Sequence, residues 1–323
     1  MENKQISQAR NSLENYLQAN FHKDGEKGYW PYKPNGQSST EATAWCGIAL
    51  RKNKDIAQGI ALFIADTQLK DGGWSTSSNT GSSDWATGPA LLCFRTLLKE
   101  YPEFLEEKKL ADCLHNALHN IAESRVSFYP VVAKLMRFMI EGPSGLQYAR
   151  GWPWDPGCFH WVEPTAYCLM SLKVPGMPEQ DLYKEVTKYA DKFLLEHACK
   201  DGGWNHGNHL SLGTYLPPYR LTTAEALLAL QDNRQNAAIE RGLAYLQSQT
   251  DSDSSSLSLA WSVLALNAFD KPIAKETSFL LARQAKAKGK GHGPNLMTTA
   301  MVHLAYSAIL GDNLLQIQTT YKG

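Results

Sequence analysis

The sequence has no excess of either charge. Its 32 lysines and arginines balance 32 aspartates and glutamates, and no long run of one sign breaks the mixture. The electrostatic footprint of a nucleic-acid binder is therefore missing. No apolar stretch is long enough to span a bilayer, and the opening MENKQISQARNSLENYL has no apolar signal-peptide core. A cytoplasmic protein without a transmembrane segment is expected. The six cysteines, Cys46, Cys93, Cys113, Cys158, Cys168 and Cys199, form no CxxC, and several lie in apolar helical runs; they read as buried thiols of a reduced compartment. Also absent are a phosphate-binding loop, a dinucleotide fingerprint, HExxH and a nucleophile elbow, so no cofactor is expected.

What is there is repetition. FIADTQLKDGGWSTS around Trp74 nearly repeats as FLLEHACKDGGWNHG around Trp204. Looser copies end at Trp30 and Trp154 or lie around Gln249 and Gln284. Each copy closes an amphipathic helix with a loop, then leads into a second helix rich in Ala, Leu and Thr around most of its circumference: STEATAWCGIAL, SSDWATGPALLCF, HWVEPTAYCLMSL, RLTTAEALLAL, SLSLAWSVLAL and NLMTTAMVHLAY. Six loops and six following helices give six helical hairpins, with an extra helical segment near 103–122. A hairpin of this kind cannot bury its apolar face alone, so the hairpins are expected to close into an all-α, α/α toroid (α6/α6 barrel), one domain over residues 1–323. Gly72-Gly73 and Gly202-Gly203 supply the positive φ needed where the first helix ends, and the Trp beyond packs the turn. The inner-helix N-termini would ring one end of a cavity.

Gln68-Leu-Lys-Asp-Gly72-Gly-Trp74 matches the Q-x3-G-x-W core of the QW repeat of squalene-hopene cyclases; the Trp204 copy has Ala198 in place of the Gln. Over nearly the whole chain the sequence resembles the terpenoid cyclase and protein prenyltransferase repeat superfamily. The cyclases start catalysis at an inner helix opening with D-x-D-D-T-A, whose middle Asp protonates an alkene or epoxide. Trp161-Val-Glu163-Pro-Thr165-Ala166 is the local match, so the resemblance puts Glu163 on the proton-donating position, with Trp161 and Pro164 where aspartates would flank it. His160 or a water would then have to set up the acid. The prenyltransferase zinc motif D-x-C is not reproduced: Asp155-Pro-Gly-Cys158 is one residue too long, and Leu296-Met-Thr298-Thr299 has no His in register. The aspartate-rich DDxxD of class I terpene synthases is also missing.

Three inner helices carry a carboxylate near their first turn: Glu41, Asp84 and Glu163. Acidic side chains at helix N-termini also serve as caps and offset the macrodipole, so their presence alone does not establish catalysis. Around Glu163 the ring-rich GWPWDPGCFHW would desolvate the carboxyl group and raise its pKa. Trp45, Trp85, Trp152, Trp154, Phe159, Trp161 and Tyr167 are the candidate cavity lining, able to shelter a carbocation or simply to pack turns. His206 and His209 would assist a carboxylate at the mouth; with His160 and Cys158 their spacing does not specify a metal site. The expected function is a terpenoid-cyclase-like isomerase or lyase acting on an apolar, isoprenoid-derived small molecule, with Glu163 as acid and Glu41, Asp84 and His160 in support. The alternative is a non-catalytic toroid that binds an apolar small molecule or a protein partner. A sugar-active ring with paired carboxylates is a third reading.

Overall fold

The computed structural model describes residues 2–76, 81–124, 139, 150–176, 183–251, 253–287, 290–293 and 295–317. Among them are twelve α-helices: α1 Glu2–Ala19, α2 Thr40–Ala49, α3 Lys54–Thr67, α4 Thr87–Glu100, α5 Lys108–Glu123, α6 Val162–Leu172, α7 Lys184–Glu196, α8 Arg220–Ala229, α9 Ala237–Ser248, α10 Ser256–Ala268, α11 Ala274–Ala287 and α12 Leu296–Ile309. No helix among the described residues is long and apolar enough to cross a membrane.

Odd- and even-numbered helices differ as their sequences require. In α5 the buried residues Leu110, Cys113, Leu114, Ala117, Leu118 and Ile121 fall on one stripe, whereas α2 is buried from Glu41 to Ala49. A helix buried all round needs neighbours on every side. Each even-numbered helix packs on the next, α2 on α4, then α6, α8, α10 and α12, and α12 packs back on α2. The odd-numbered helices lie against them, α1 on α12 and α11 on α10.

One repeated set of bonds locks four of the loops to their pairs of helices. The indole N–H groups of Trp30, Trp74, Trp152 and Trp204 donate to Leu17 O, Ile64 O, Ile121 O and Leu194 O at 2.6–2.9 Å. Their backbone N–H groups donate to the hydroxyls of Thr43, Thr87, Thr165 and Thr223 at 2.9–3.0 Å. In the last loop His292 takes the tryptophan's place, its N–H donating to Thr299 Oγ1 at 3.0 Å. Each Trp thus satisfies a C-terminal carbonyl of one helix and ties itself to the first turn of the next. At Gly72, φ is +88° and a Cβ would lie 2.4 Å from Asn116 O on α5, so both the turn and the approach to the neighbouring helix require glycine. Gln68 Nε2 donates there to Gly72 O and Cys113 O, both at 2.8 Å.

Two sequence expectations need comment. The segment near 103–122 contains a short 3-10 turn, Pro102–Glu106, and then α5. Because Trp152 bonds to Ile121 O as its counterparts bond to α1, α3 and α7, α5 holds the same place in its pair as those helices. Residues 125–138 and 140–149, where the sequence points to the helix before Trp154, lie outside the described residues. The fold is also mostly rather than wholly helical. Three short antiparallel pairs occur: β1 His22–Asp24 with β2 Lys27–Tyr29, β3 Trp152–Pro153 with β4 His160–Trp161, and β5 Leu210–Ser211 with β6 Thr214–Tyr215. All lie in loops entering even-numbered helices, where pairing satisfies backbone groups that have left one helix and not reached the next.

At the other end, residues 312–317 cross the C-terminal ends of the even-numbered helices. Arg51 donates to both Asp312 carboxylate oxygens at 2.7–2.8 Å, Asn313 donates to Leu264 O, and Gln231 Nε2 donates to Leu315 O while its Oε1 accepts from Ile317 N.

Candidate functional site

The threonines that bind the loops set a register for the even-numbered helices. Two residues beyond them stand Trp45, Pro89, Tyr167, Glu225 and Met301, from Thr43-Ala-Trp, Thr87-Gly-Pro, Thr165-Ala-Tyr, Thr223-Ala-Glu and Thr299-Ala-Met; α10 offers Leu259-Ala-Trp261. The rings of Trp45 and Trp261 are 5.1 Å apart, those of Trp45 and Tyr167 5.6 Å, and those of Tyr167 and Trp261 5.9 Å. These rings come from α2, α6 and α10, which alternate around the packing order, so they meet across the middle of the six helices. Together they form an aromatic floor, fully buried.

Glu225 is the single charged residue at this level and is 0% exposed. The Tyr167 hydroxyl lies 2.9 Å from Glu225 Oε1 and 3.1 Å from Glu163 Oε1. A phenol has one proton to give, so one of these two contacts is made by a carboxylic acid donating to the phenol oxygen. Burial pushes the Glu225 carboxyl far above the usual carboxylate range, and the nearby Glu163 charge adds to the shift. Burial raises Glu163 to about 7, opposed by its bond to Tyr167. Glu225 is therefore the member whose proton lies toward the phenol. Its second oxygen has no hydrogen-bond partner among the described residues, which a neutral carboxyl tolerates far better than a carboxylate. The order that follows is Glu225 O–H donating to Tyr167 and Tyr167 O–H donating to Glu163. Glu163 is half-buried and stands one turn nearer the N-termini of the even-numbered helices than Glu225.

Glu41 is buried at the rim of the same ring, two residues before Thr43 as Glu163 is before Thr165. Burial first, then the charges of Glu163 and Asp84, raise it to about 8. Asp84 is engaged in its own loop, accepting from Thr76 N, Thr76 Oγ1 and Ala86 N at 2.8–2.9 Å, so it acts on the others through its charge. Because the folded pKa of Glu41 is raised from the ordinary 4.5, its contribution to stability is complete below about 4.5 and is lost as pH rises toward 8. Glu41→Gln is therefore expected to gain stability relative to the native chain between pH 5 and 8, by up to a few kcal/mol. Urea unfolding at both pH values checks this, and a pH-independent difference would refute the burial of an ionising Glu41.

The remaining candidates separate. Trp85 joins the aromatic group, 6.3 Å from Tyr167 and 4.9 Å from Trp154. A cavity of about 270 Å³ beside Asp84, Trp85 and Trp152 adjoins it. Trp152 is committed to the turn by its bond to Ile121, and Trp161 lays its ring over Gly207. Phe159 is 70% exposed. His160 Nδ1 accepts from Gly151 N at 3.2 Å and its ring lies 5.9 Å from Phe193 on α7. His206 is exposed beside Tyr219, while His209 faces His197. Among the described residues no three His, Cys, Asp or Glu side chains converge as a metal would require. Five cysteines are buried and Cys158 is exposed. Sequence reasoning missed Glu225 and Trp261. The Thr-Ala-X register was the signal, because it sets Glu225 level with Trp45 and Tyr167.

No family profile and no curated protein matches the chain. Solved structures do. The type II terpene cyclase MstE from Scytonema, in its apo form, aligns with a TM-score of 0.61 at 16% identity, over 95% of this chain and 99% of that one. A variant of it in complex with its product, merosterolic acid A, aligns with a TM-score of 0.62 at 15% identity, over 96% and 99%. The likeness is one of fold. A reducing end xylose-releasing exo-oligoxylanase shares it as well, with a TM-score of 0.64 at 10% identity over 99% of this chain and 94% of that one. At such identities the architecture is common to unlike chemistries, and function has to be argued from the site.

Proposed function

We propose that residues 1–323 form a single α/α toroid whose rim cavity carries out proton-initiated cyclisation or isomerisation of an apolar, isoprenoid-derived substrate. The observation that carries this reading is the Tyr167 hydroxyl between Glu163 and Glu225 beside an aromatic floor. Cyclisation and isomerisation consume no net proton, so the site has to deliver one and recover one. Glu163, the half-buried member, gives its proton to the substrate. The Tyr167 O–H, itself held by the Glu225 acid, donates to the Glu163 carboxylate left behind, and that carboxylate takes back the proton lost by the product. The faces of Trp45, Trp85, Tyr167 and Trp261 offer π density to positive charge generated between these steps. An acid with a pKa near 7 is weak; an epoxide or a conjugated alkene is a more fitting acceptor for it than an isolated double bond.

Glycoside hydrolysis is the second reading, supported by the two carboxyl oxygens within hydrogen-bond distance of one phenol. Glu225 is wholly buried behind Tyr167, however, and cannot reach a water on the far face of a sugar ring.

Mass-spectrometric product analysis of the purified protein with linear isoprenoids, their epoxides and their diphosphates tests the proposal. A cyclised or isomerised product is expected, and none from any of these by a folded protein would overturn it. Tyr167→Phe removes the donor to the Glu163 carboxylate while leaving the acid. Its kcat is expected to fall about ten- to a hundredfold, on the first turnover as on later ones. An unchanged kcat would exclude this role for Tyr167.

A further inference from the structure

The last loop departs from the others at its tryptophan position, and the departure is chemical. An indole carries one nitrogen, which in Trp30, Trp74, Trp152 and Trp204 is engaged by a helix carbonyl. The imidazole of His292 carries two. Its Nε2 meets Gln284 Oε1 on α11, as the indoles meet their carbonyls, and its backbone N–H is held by Thr299 as theirs are by Thr43, Thr87, Thr165 and Thr223. An amide oxygen only accepts, so the ring proton is on Nε2 and Nδ1 keeps its lone pair. That lone pair accepts from the Ser256 hydroxyl, with Nδ1 3.2 Å from Oγ. A hydroxyl, a base and a group that orients the base thus stand in hydrogen-bonded order, the arrangement that activates a nucleophile.

Ser256 and His292 both line a cavity of about 800 Å³ between the start of α10, the end of α11 and the start of α12. A serine in the first turn of a helix is ordinary, but capping does not explain this one, because Ser255 already caps α10 by accepting from Ser258 N at 3.0 Å. The amides of Ser256 and Leu257 are then the first two of the helix, with no acceptor inside it. They border Oγ and can receive the negative charge that develops on a carbonyl oxygen attacked there. Arg283 Nη1, 3.4 Å from Oγ, favours negative charge on the attacking oxygen as well. Burial first, then the Arg283 charge, lowers His292 to about 4, so the ring is neutral at pH 7 and its lone pair is available. A base this weak suits an ester, whose alcohol leaves more readily than an amine. Lys286 and Lys290 lie on the cavity wall, no Asp or Glu lines it, and an ester carrying an anionic group fits that wall.

We propose that this cavity is a second catalytic site, an esterase for anionic carboxylic esters with Ser256 as nucleophile and His292 as base, oriented by Gln284. Ser256 Oγ bonds to the carbonyl carbon while its proton passes to His292 Nδ1. The bond from that carbon to the alcohol oxygen breaks, and Nδ1 gives the proton to the departing alcohol. Water then attacks the acyl-serine, losing a proton to Nδ1; the acid leaves, and the proton returns to Ser256 Oγ. None of these steps uses Glu163, Tyr167 or Glu225, so the site stands or falls apart from the function proposed above.

Treatment of the full chain with a fluorophosphonate, followed by peptide mass spectrometry, is the first arm. Phosphonylation of Ser256 is expected, with no labelled peptide in Ser256→Ala; Ser255 keeps the cap, so that variant retains its helix. No label on the native chain, or label that persists in Ser256→Ala, would overturn the site. The second arm measures hydrolysis of 4-acetoxybenzoate and of its uncharged methyl ester. The anion is expected to show a KM about tenfold lower, a preference lost when Lys286 and Lys290 are both replaced by Ala. Equal KM values in the native chain would overturn the anionic class of substrate. Gln284→Glu is the third arm, because a carboxylate on Nε2 steadies the imidazolium formed in the transition state. Its kcat for 4-acetoxybenzoate is expected to rise at least about tenfold. A kcat unchanged or lowered in Gln284→Glu would remove His292 from the role of base.

Discussion

Glu163→Gln is expected to lower kcat by about a hundred- to ten-thousandfold, the range ascribed to a positioned general acid, with little change in folding. The amide keeps the side chain's volume, and its carbonyl oxygen can still accept from the Tyr167 hydroxyl, 3.1 Å from Glu163 Oε1 in the native chain. It carries no acidic proton. Stability should not suffer, because burial already holds Glu163 at about 7, and a neutral group in its place avoids ionisation above that pH. If Glu163 is the proposed acid, turnover by the native chain falls as pH rises through about 7, when its carboxyl group loses its proton. Product formation measured from pH 6 to 9 checks this, and a flat profile would remove Glu163 from the role of acid. Glu225→Gln should behave differently. It keeps a donor to the Tyr167 oxygen, so a loss of no more than about tenfold is expected.

Trp204→Ala is expected to cost about 3–5 kcal/mol, the usual loss for a large aromatic in a core. Trp204 is fully buried, donates its indole N–H to Leu194 O at 2.6 Å and is tied through its backbone to Thr223. A Cβ on Gly242 would come within 2.7 Å of its ring, so α9 rests directly on it. Truncation opens a cavity between α8 and α9 and strips a carbonyl at the end of α7 of its partner. Trp204→Phe keeps most of the volume and should lose about 1–3 kcal/mol, chiefly from the unpaired carbonyl. Urea unfolding of the two variants separates packing from hydrogen bonding. A loss below about 1 kcal/mol in Trp204→Ala would mean that the loop does not bind the hairpins together.

These two residues were legible in the sequence to different degrees. Trp204 announced itself by repetition: the same Gly-Gly-Trp loop occurs at Trp74, and the physical demands on it, a positive φ and a ring to close the turn, are local. Glu163 drew attention through a helix start that resembles a family motif and through the aromatic residues around it. Glu225 was passed over because it sits a turn further in, among Ala and Leu, where neither a capping role nor a motif draws attention to it. His160 was given a role by its nearness in sequence to Glu163, but strand pairing between Pro153 and His160 carries its ring toward α7. His160 lies in the strand and Glu163 on the helix that follows it, so nearness in sequence does not establish a shared site.

By itself, then, the sequence determined the kind of helices, the turns between them and which helices are buried all round. Those properties follow from periodicity, glycine placement and tryptophan repeats within each segment. The tertiary structure alone decided which side chains share the interior. Tyr167 and Glu225 are 58 positions apart and meet because α6 packs beside α8; Trp45 and Trp261 meet because the packing returns from α12 to α2. The chemistry of a carboxyl group is set by what surrounds it, and those surroundings come from helices remote in the chain.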